Sequence, residues 1–439
     1  MSIALLMFPV LILFVIAGLP IAFSLIAVAF IFGWIRFDAV VIHQIMSRID
    51  DVASNYILGA IPLFIFMGAM LERSGIAERL FDAIYTWIKR LPGGLAVGAV
   101  LMCVVFAMAS GITGAVETVV GLLAIPAMMK YSYDHRLIAG TICAGGSLGT
   151  VIPPSITVIV LGPVANIPVG DLFAGMMFPG FIMAGLFIAY IIVACTVKPS
   201  LAPKLRDEEE DRRPLLVKLR VTAVALIPPG FLVMAVLGSI LMGLATPTEA
   251  AACGAAGSLL LAVLYGRMSF KVLREALYRT LVVTAMIMLI VLGGSMFAGV
   301  FFASGGMSSV QALVTQLGLE GWMVIAAILI ITFIAGFILE LLSVVLIIIP
   351  LAMPLVIAAG VDPLLFCVLF MIVLQTGYLT PPMAPSIFYL RGIAPPSITL
   401  SQMYWGVVPF IVMQLVTLWI VIAFPEVATW LPDRIHARG

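Results

Sequence analysis

The chain has 439 residues, of which 64% are hydrophobic and only 10% charged, with a mean hydropathy of +1.26. A soluble domain runs near 45–50% apolar and about 25% charged, so a water-soluble enzyme is excluded. The 22 Lys+Arg and 21 Asp+Glu nearly cancel, so bulk charge points to no nucleic-acid partner. What remains is an all-α polytopic membrane protein. Repeated apolar stretches of about 20 residues fit a bilayer core about 30 Å thick, and the alternation of an outer-membrane barrel is absent.

In chain order, apolar spans fall near 3–17, 19–35 and 55–71. An interrupted segment follows at 94–129, then spans at 136–165 and 170–196. The opening residues, Met1–Leu6, lack the basic region of a cleaved signal peptide and read as the start of the first helix. From Lys198 to Arg220 the composition changes abruptly, with basic residues such as Lys204, Arg206, Arg212 and Arg213 around the acidic run Asp207–Asp211. That is a solvated linker, and its basic excess favours the cytoplasmic side. Beyond it, spans fall near 221–244, 246–265 and 281–303, an interrupted segment at 321–358, a span 363–390 broken at Pro381-Pro382, and a last span at 403–424. The amphipathic segments 76–90 and 267–280 read as interfacial arms at the inner face.

The two halves are related. Pro126/Pro354, Asp134/Asp362, Gly149/Gly377, Pro153/Pro381 and Pro154/Pro382 all stand 228 residues apart. Leu19-Pro20 divides the first half where Thr246-Pro247 divides the second. The chain therefore reads as a first repeat over 1–197, a linker over 198–220 and a second repeat over 221–439. If the interrupted segments are re-entrant hairpins, each half crosses five times, and an odd number forces opposite orientations. With the linker inside, every basic residue except Arg36, Arg48, Arg434 and Arg438 falls on an inner loop, as the positive-inside rule requires. Inverted repeats with paired broken helices mark secondary transporters, whose sites sit near the midplane at the interruptions.

The residues at those interruptions are the candidates. The first hairpin runs through Ser110-Gly111-Ile112-Thr113-Gly114. Its hydroxyls and freed carbonyls suit Na⁺, although a small-residue packing face has the same composition. Pro153-Pro154 and Pro381-Pro382 must break their helices, since each pair removes two donors. Thr246-Pro247-Thr248-Glu249 reads as a capping box, which makes Glu249 a structural acid. Glu117 and Glu340 follow the bends closely; each is either a carboxylate stabilised near a helix N-terminus or a proton or cation partner. Arg391 is either a counter-charge for an anionic substrate or a cytoplasmic-end anchor. Cys103, Cys143, Cys195, Cys253 and Cys367 lie apart with no CxxC pair, so neither disulfides nor a metal cluster is indicated. No GxxxxGK[ST] occurs, which leaves no Walker-type ATP hydrolysis.

Ile61-Pro-Leu-Phe64, Ser110-Gly111, Leu148–Ser155, Thr246-Pro-Thr-Glu-Ala250 and Leu379-Thr-Pro-Pro382 resemble the large membrane subunit of TRAP (tripartite ATP-independent periplasmic) transporters. The resemblance runs from about residue 3 to 424. It implies a multi-pass protein of the bacterial inner membrane with a scaffold and a mobile domain, working as an elevator of the ion transporter superfamily type. It implies Na⁺-driven uptake of an organic acid anion, such as a dicarboxylate, keto acid or sugar acid, delivered by a periplasmic binding protein. It also implies a small four-helix membrane subunit, expected as a separate chain, and no organic cofactor. Carried over by motif, one sodium site would use Ser110, Gly149, Ile152 and Pro154, and the other Gly336, Gly377, Thr380 and Met383. Thr113, Glu117, Glu340 and Arg391 would then line the substrate or coupling region. Four positions depart from the family pattern: Ile112-Thr113 stands where the family often has a run of serines, Glu340 stands where an aspartate is common, and Glu117 occupies a usually small or hydroxylated place. A stand-alone anion transporter of the same architecture is the alternative. A channel or intramembrane hydrolase is disfavoured, because no histidine accompanies the buried Ser and Cys.

Overall fold

In the computed structural model, residues 3–88, 91–111, 113–203, 214–381 and 384–437 are described. The first half holds α1 (Met7–Ile16), α2 (Ile21–Phe37), α3 (Val40–Ala53), α4 (Ala60–Arg73), α5 (Ile76–Ile88), α6 (Gly94–Ser110), α7 (Thr113–Lys130), α8 (His135–Ser147), α9 (Ile156–Ala165) and α10 (Val169–Val197). The second holds α11 (Leu215–Leu241), α12 (Pro247–Leu264), α13 (Phe270–Ala303), α14 (Gly306–Gln316), α15 (Trp322–Ile338), α16 (Leu341–Ala358), α17 (Pro363–Leu379), α18 (Pro385–Ile393), α19 (Leu400–Ala423) and α20 (Glu426–His436). Among the described residues every regular element is helical, and eight helices are long and apolar enough to cross a bilayer.

The repeat is built into the helix boundaries. α15 and α16 begin and end 228 residues after α6 and α7, and α17 begins 228 residues after α8. Local chemistry sets these starts. Asp134 accepts the Arg136 N–H at 2.8 Å and Asp362 accepts the Leu365 N–H at 2.8 Å, so equivalent aspartates N-cap equivalent helices. Packing follows the same symmetry. α4 lies on α12 as α2 lies on α13; α8 lies on α19 as α10 lies on α17; α7 lies on α18 as α9 lies on α16.

The orientations are opposite. The first repeat ends beside the start of α8, where the Leu201 carbonyl accepts the Asp134 N–H at 2.9 Å. The second ends beside the start of α10, where His436 Nε2 lies 3.0 Å from Asp171 Oδ1. α10 is 29 residues long, so these two ends stand about 43 Å apart along its axis. The fold is thus a pair of inverted-topology repeats with helical hairpins and broken helices.

Several boundaries differ from the sequence expectation. The arm expected at 267–280 and the span expected at 281–303 are one unbroken helix, α13, because no proline interrupts the stretch and Ser269 caps its start by accepting the Val272 N–H at 3.2 Å. Helices α3, α14 and α20 were not anticipated; they are short and carry polar residues, so no apolar run of membrane length announces them. The Thr246–Glu249 capping box is present: Thr246 Oγ1 accepts the Glu249 N–H at 3.3 Å, and Glu249 Oε2 accepts the Thr246 N–H at 2.8 Å. Lys89, Arg90, Ile112, Pro382, Met383, Arg438 and the acidic run of the linker lie outside the described residues.

Two helix groups result. α2, α4, α11, α12 and α13 form one, and the hairpins and broken helices form the other; α13 against α16 and α4 against α6 join them. At the far end of the first hairpin, the Tyr133 hydroxyl accepts the Leu95 N–H at 3.3 Å, and burial pushes this phenol up to about 12.

Candidate functional site

The first hairpin reverses at Gly111, whose φ of +62° closes α6 in the left-handed region. A Cβ there would lie 2.9 Å from the Pro154 carbonyl oxygen, so backbone meets backbone and only glycine fits. The Gly111 carbonyl in turn accepts the Ile156 N–H at 3.4 Å. Ser110 Oγ donates to the Phe106 carbonyl at 2.9 Å. α8 ends at Ser147 in a 3₁₀ turn, Leu148–Thr150, and the chain stays non-helical through Pro153 and Pro154 until α9. Ile152 lies over Gly180 of α10, where an added Cβ would come within 2.9 Å of the Ile152 side chain. Gly111, next to Ser110, therefore meets Pro154, with Gly149 and Ile152 on the same broken segment, while Ser110 itself packs against Gly68 of α4.

The second hairpin solves the same reversal differently. Leu339 and Glu340 are extended rather than left-handed. Glu340 Oε2 accepts the Leu342 N–H at 3.0 Å, so this acid is the N-cap of α16. Gly336 is not at the bend; it lies within α15, against Gly377 of α17. A Cβ on Gly377 would stand 3.0 Å from the Phe333 carbonyl oxygen and 3.3 Å from the Gly336 Cα. Thr380 Oγ1 donates to the Thr376 carbonyl at 2.7 Å just past the end of α17.

The remaining candidates separate. Thr113 opens α7. Glu117 is one turn into that helix and fully buried; Ser386 Oγ of α18 donates to its Oε1 at 2.8 Å, and its Oε2 has no partner among the described residues. Arg391 donates to the Ile398 carbonyl at 3.1 Å, closing the loop after α18.

One cluster escaped the sequence reading. Gln375 Nε2 donates to Ser147 Oγ at 2.9 Å, and Thr150 Oγ1 donates to Gln375 Oε1 at 3.2 Å. Ser147 and Gln375 are equivalent residues of the two repeats, 228 apart, so the two broken helices touch through their own symmetry mates. Gln414 of α19 reaches the same serine at 3.5 Å. The available signal was an amide in each of two otherwise apolar helices.

The donors at both breaks are hydroxyl and backbone oxygens, a hard set that fits a small cation such as Na⁺. Ser155 Oγ, beside Pro154, is fully buried with no partner among the described residues, which fits a ligand at the first break. No cluster of His, Cys, Asp and Glu suited to a transition metal occurs among them. Between the helix groups lies a cavity of about 420 Å³, walled by Ser295 and Gly299 of α13, Pro163 of α9 and Pro350 of α16, with Arg48 and Asp51 of α3 in its lining.

The family profile described as "Tripartite ATP-independent periplasmic transporter, DctM component" matches residues 8–427. The chain belongs to this family. It is the large permease subunit of a TRAP transporter, a multi-pass protein of the bacterial inner membrane and not an enzyme. It is 30% identical over 394 residues to the C4-dicarboxylate TRAP transporter large permease protein DctM of Pseudomonas aeruginosa, which covers 89% of this chain and 90% of that protein. It is 28% identical to the sialic acid TRAP transporter large permease protein SiaM of Vibrio cholerae, over 96% of this chain and 97% of that one. The fold is similar to the crystal structure of the YdaH transporter of Alcanivorax borkumensis, with a TM-score of 0.65 at 14% identity, over 88% of this chain and 90% of that one. That likeness concerns the fold alone.

Proposed function

We propose that this TRAP large permease carries an organic acid anion inward by Na⁺-coupled, elevator-type movement. The observation that supports this most directly is the packing of each hairpin beside a broken helix: Gly111 of the bend against Pro154 in one repeat, and Gly336 within α15 against Gly377 near the end of α17 in the other. Unwound backbone is tolerated at membrane depth only where it is buried in protein or lines a cavity, and paired breaks of inverted repeats are where transporters hold ions. One sodium would take oxygens from Ser110, Gly149, Ile152 and Pro154, the other from Gly336, Gly377, Thr380 and Met383. A bound Na⁺ would hold each hairpin on its break, and the group of hairpins and broken helices would move against the scaffold of α2, α4 and α11–α13. The cavity between those groups holds Arg48, which is paired with Asp51 at 3.3 Å, and an entering carboxylate would compete with that acid for the guanidinium. Thr113, Glu117, Glu340 and Arg391 lie on the moving group and would line the substrate or coupling region. The relatives named for a C4-dicarboxylate and for sialic acid support an organic acid anion as the cargo without choosing within that class. A periplasmic binding protein would deliver it, and a small four-helix membrane subunit would complete the transporter.

The test is the thermal stability of the purified chain in NaCl against KCl at equal ionic strength. A ligand bound only by the folded state adds RT ln(1 + [L]/Kd), so millimolar sites gain about 1–3 kcal/mol at ~100 mM Na⁺. We expect a sodium-specific rise that shrinks in Ser110→Ala and Thr380→Val. Equal stability in both salts would refute sodium binding by this chain.

A further inference from the structure

The inner end of α13 meets the end of α4 in a feature that transport does not use. α13 spans Phe270–Ala303, 34 residues, or about 51 Å at 1.5 Å per residue. The hydrocarbon core is only about 30 Å thick. Its charged residues, Lys271, Arg274, Glu275 and Arg279, all fall in the first three turns, and the helix carries none beyond Arg279. The uncharged remainder is long enough to fill the core, so those first turns stand at headgroup level.

There they line a cavity of about 770 Å³ together with Arg73 of α4. The charges do not balance. Arg279 Nη1 holds both carboxylate oxygens of Glu72 at 2.8 Å, a satisfied pair. Arg73 Nη1 reaches Glu275 only at 3.7 Å, and the Arg73 Nε is buried with no acceptor among the described residues. Lys271 and Arg274 line the cavity as two further cations with no carboxylate partner among the described residues. Among the described residues two acids therefore face four cations, with one guanidinium N–H buried and without an acceptor. Such a site lacks an anion with several acceptor oxygens, as phosphate is.

The wall toward the membrane core is apolar. Val282 and Val283 continue the lining down α13, and Phe270 and Tyr278 stand beside it, 83% and 69% exposed. A soluble phosphate has no use for that wall; acyl chains do.

We propose that this pocket binds the phosphodiester headgroup of an anionic phospholipid, with Lys271, Arg274 and the Arg73 Nε on the phosphate and the acyl chains along Tyr278 and Val282. The lipid bridges α4 and α13 and fastens the scaffold to the inner leaflet, in the way that basic pockets between membrane helices take anionic lipids.

The test is native mass spectrometry of the purified full-length chain with phosphatidylglycerol, phosphatidylcholine or inorganic phosphate added at equal concentration. Wild type should retain phosphatidylglycerol selectively. Lys271→Gln/Arg274→Gln changes only exposed side chains and leaves the Arg279–Glu72 pair intact; it should retain the lipid about 30-fold less strongly. The same lipid should raise the melting temperature of wild type and not of the variant. Equal retention of both lipids by wild type, or undiminished phosphatidylglycerol retention by the variant, overturns the proposal. Retention of inorganic phosphate in place of the lipid also overturns it and assigns the pocket to a soluble anion. None of these readouts involves sodium.

Discussion

The two hairpins carry out one task with different residues. The first reverses through a left-handed glycine, Gly111, pressed against the Pro154 carbonyl. The second reverses through extended Leu339 and Glu340, and the acid caps the next helix with its own carboxylate. Its close backbone approach is displaced into the helices, at Gly336 and Gly377. The position equivalent to Glu340 in the first repeat is Ile112, and that equivalent to Glu117 is Val345. Inverted symmetry thus conserves the path of the backbone and leaves the means of bending it free, so the two breaks should fail in different ways when altered.

The largest effect is expected at Gly377. A valine there would drive its Cβ into the Phe333 carbonyl and the Gly336 Cα. Backbone cannot yield as a flexible side chain can, so Gly377→Val should cost about 3 kcal/mol or more and abolish the monodisperse species on size-exclusion. Gly111→Ala combines a left-handed backbone with the 2.9 Å approach to Pro154. A loss of about 2 kcal/mol is expected in thermal melts. A wild-type melting temperature there would mean that the bend relaxes, and the contrast between the hairpins would lose its basis.

Smaller effects sharpen the comparison. Gln375→Leu removes the amide that joins the two breaks and leaves the Thr150 hydroxyl with its local carbonyl and the Ser147 hydroxyl with its local carbonyl and the 3.5 Å contact of Gln414. A cost of about 1–2 kcal/mol is expected. In a double-mutant cycle with Ser147→Ala the two losses should be non-additive by about 0.5 kcal/mol or more; strict additivity would mean that the breaks are independent. Glu340→Ala should cost about 1 kcal/mol through the lost cap, whereas Glu340→Asp should keep most of it, because a shorter carboxylate is a good N-cap.

Much of this was legible in the sequence because it is local. Pro153-Pro154 follows the end of one helix and Pro381 the end of another, whereas Pro228-Pro229 lies inside the unbroken α11; the prolines therefore mark the repeat through their constant offset from the capping aspartates Asp134 and Asp362. Thr246-Pro-Thr-Glu249 announced its own capping box for the same reason. Length and charge alone gave way at α13, where a charged amphipathic stretch and an apolar one looked like two elements; continuity depends on the absence of a breaker, a weaker signal than its presence. The segment 321–358 reads as interrupted, yet Gly336 lies inside the intact α15 and contacts Gly377 there.

What the amino-acid order determined by itself was the class, a helical membrane protein, together with the repeat, its breaks and their caps. Those depend on hydropathy and on backbone chemistry within a few residues. Only the tertiary structure decided that Gln375 meets Ser147 and Thr150, that Ser386 holds Glu117, and that Arg73 shares a basic pocket with Lys271 and Arg274. These partners stand between 198 and 269 residues apart. No periodicity records such distances. A buried polar group is satisfied by whatever the packed helices bring within hydrogen-bonding reach, and that is settled when the two repeats close on each other.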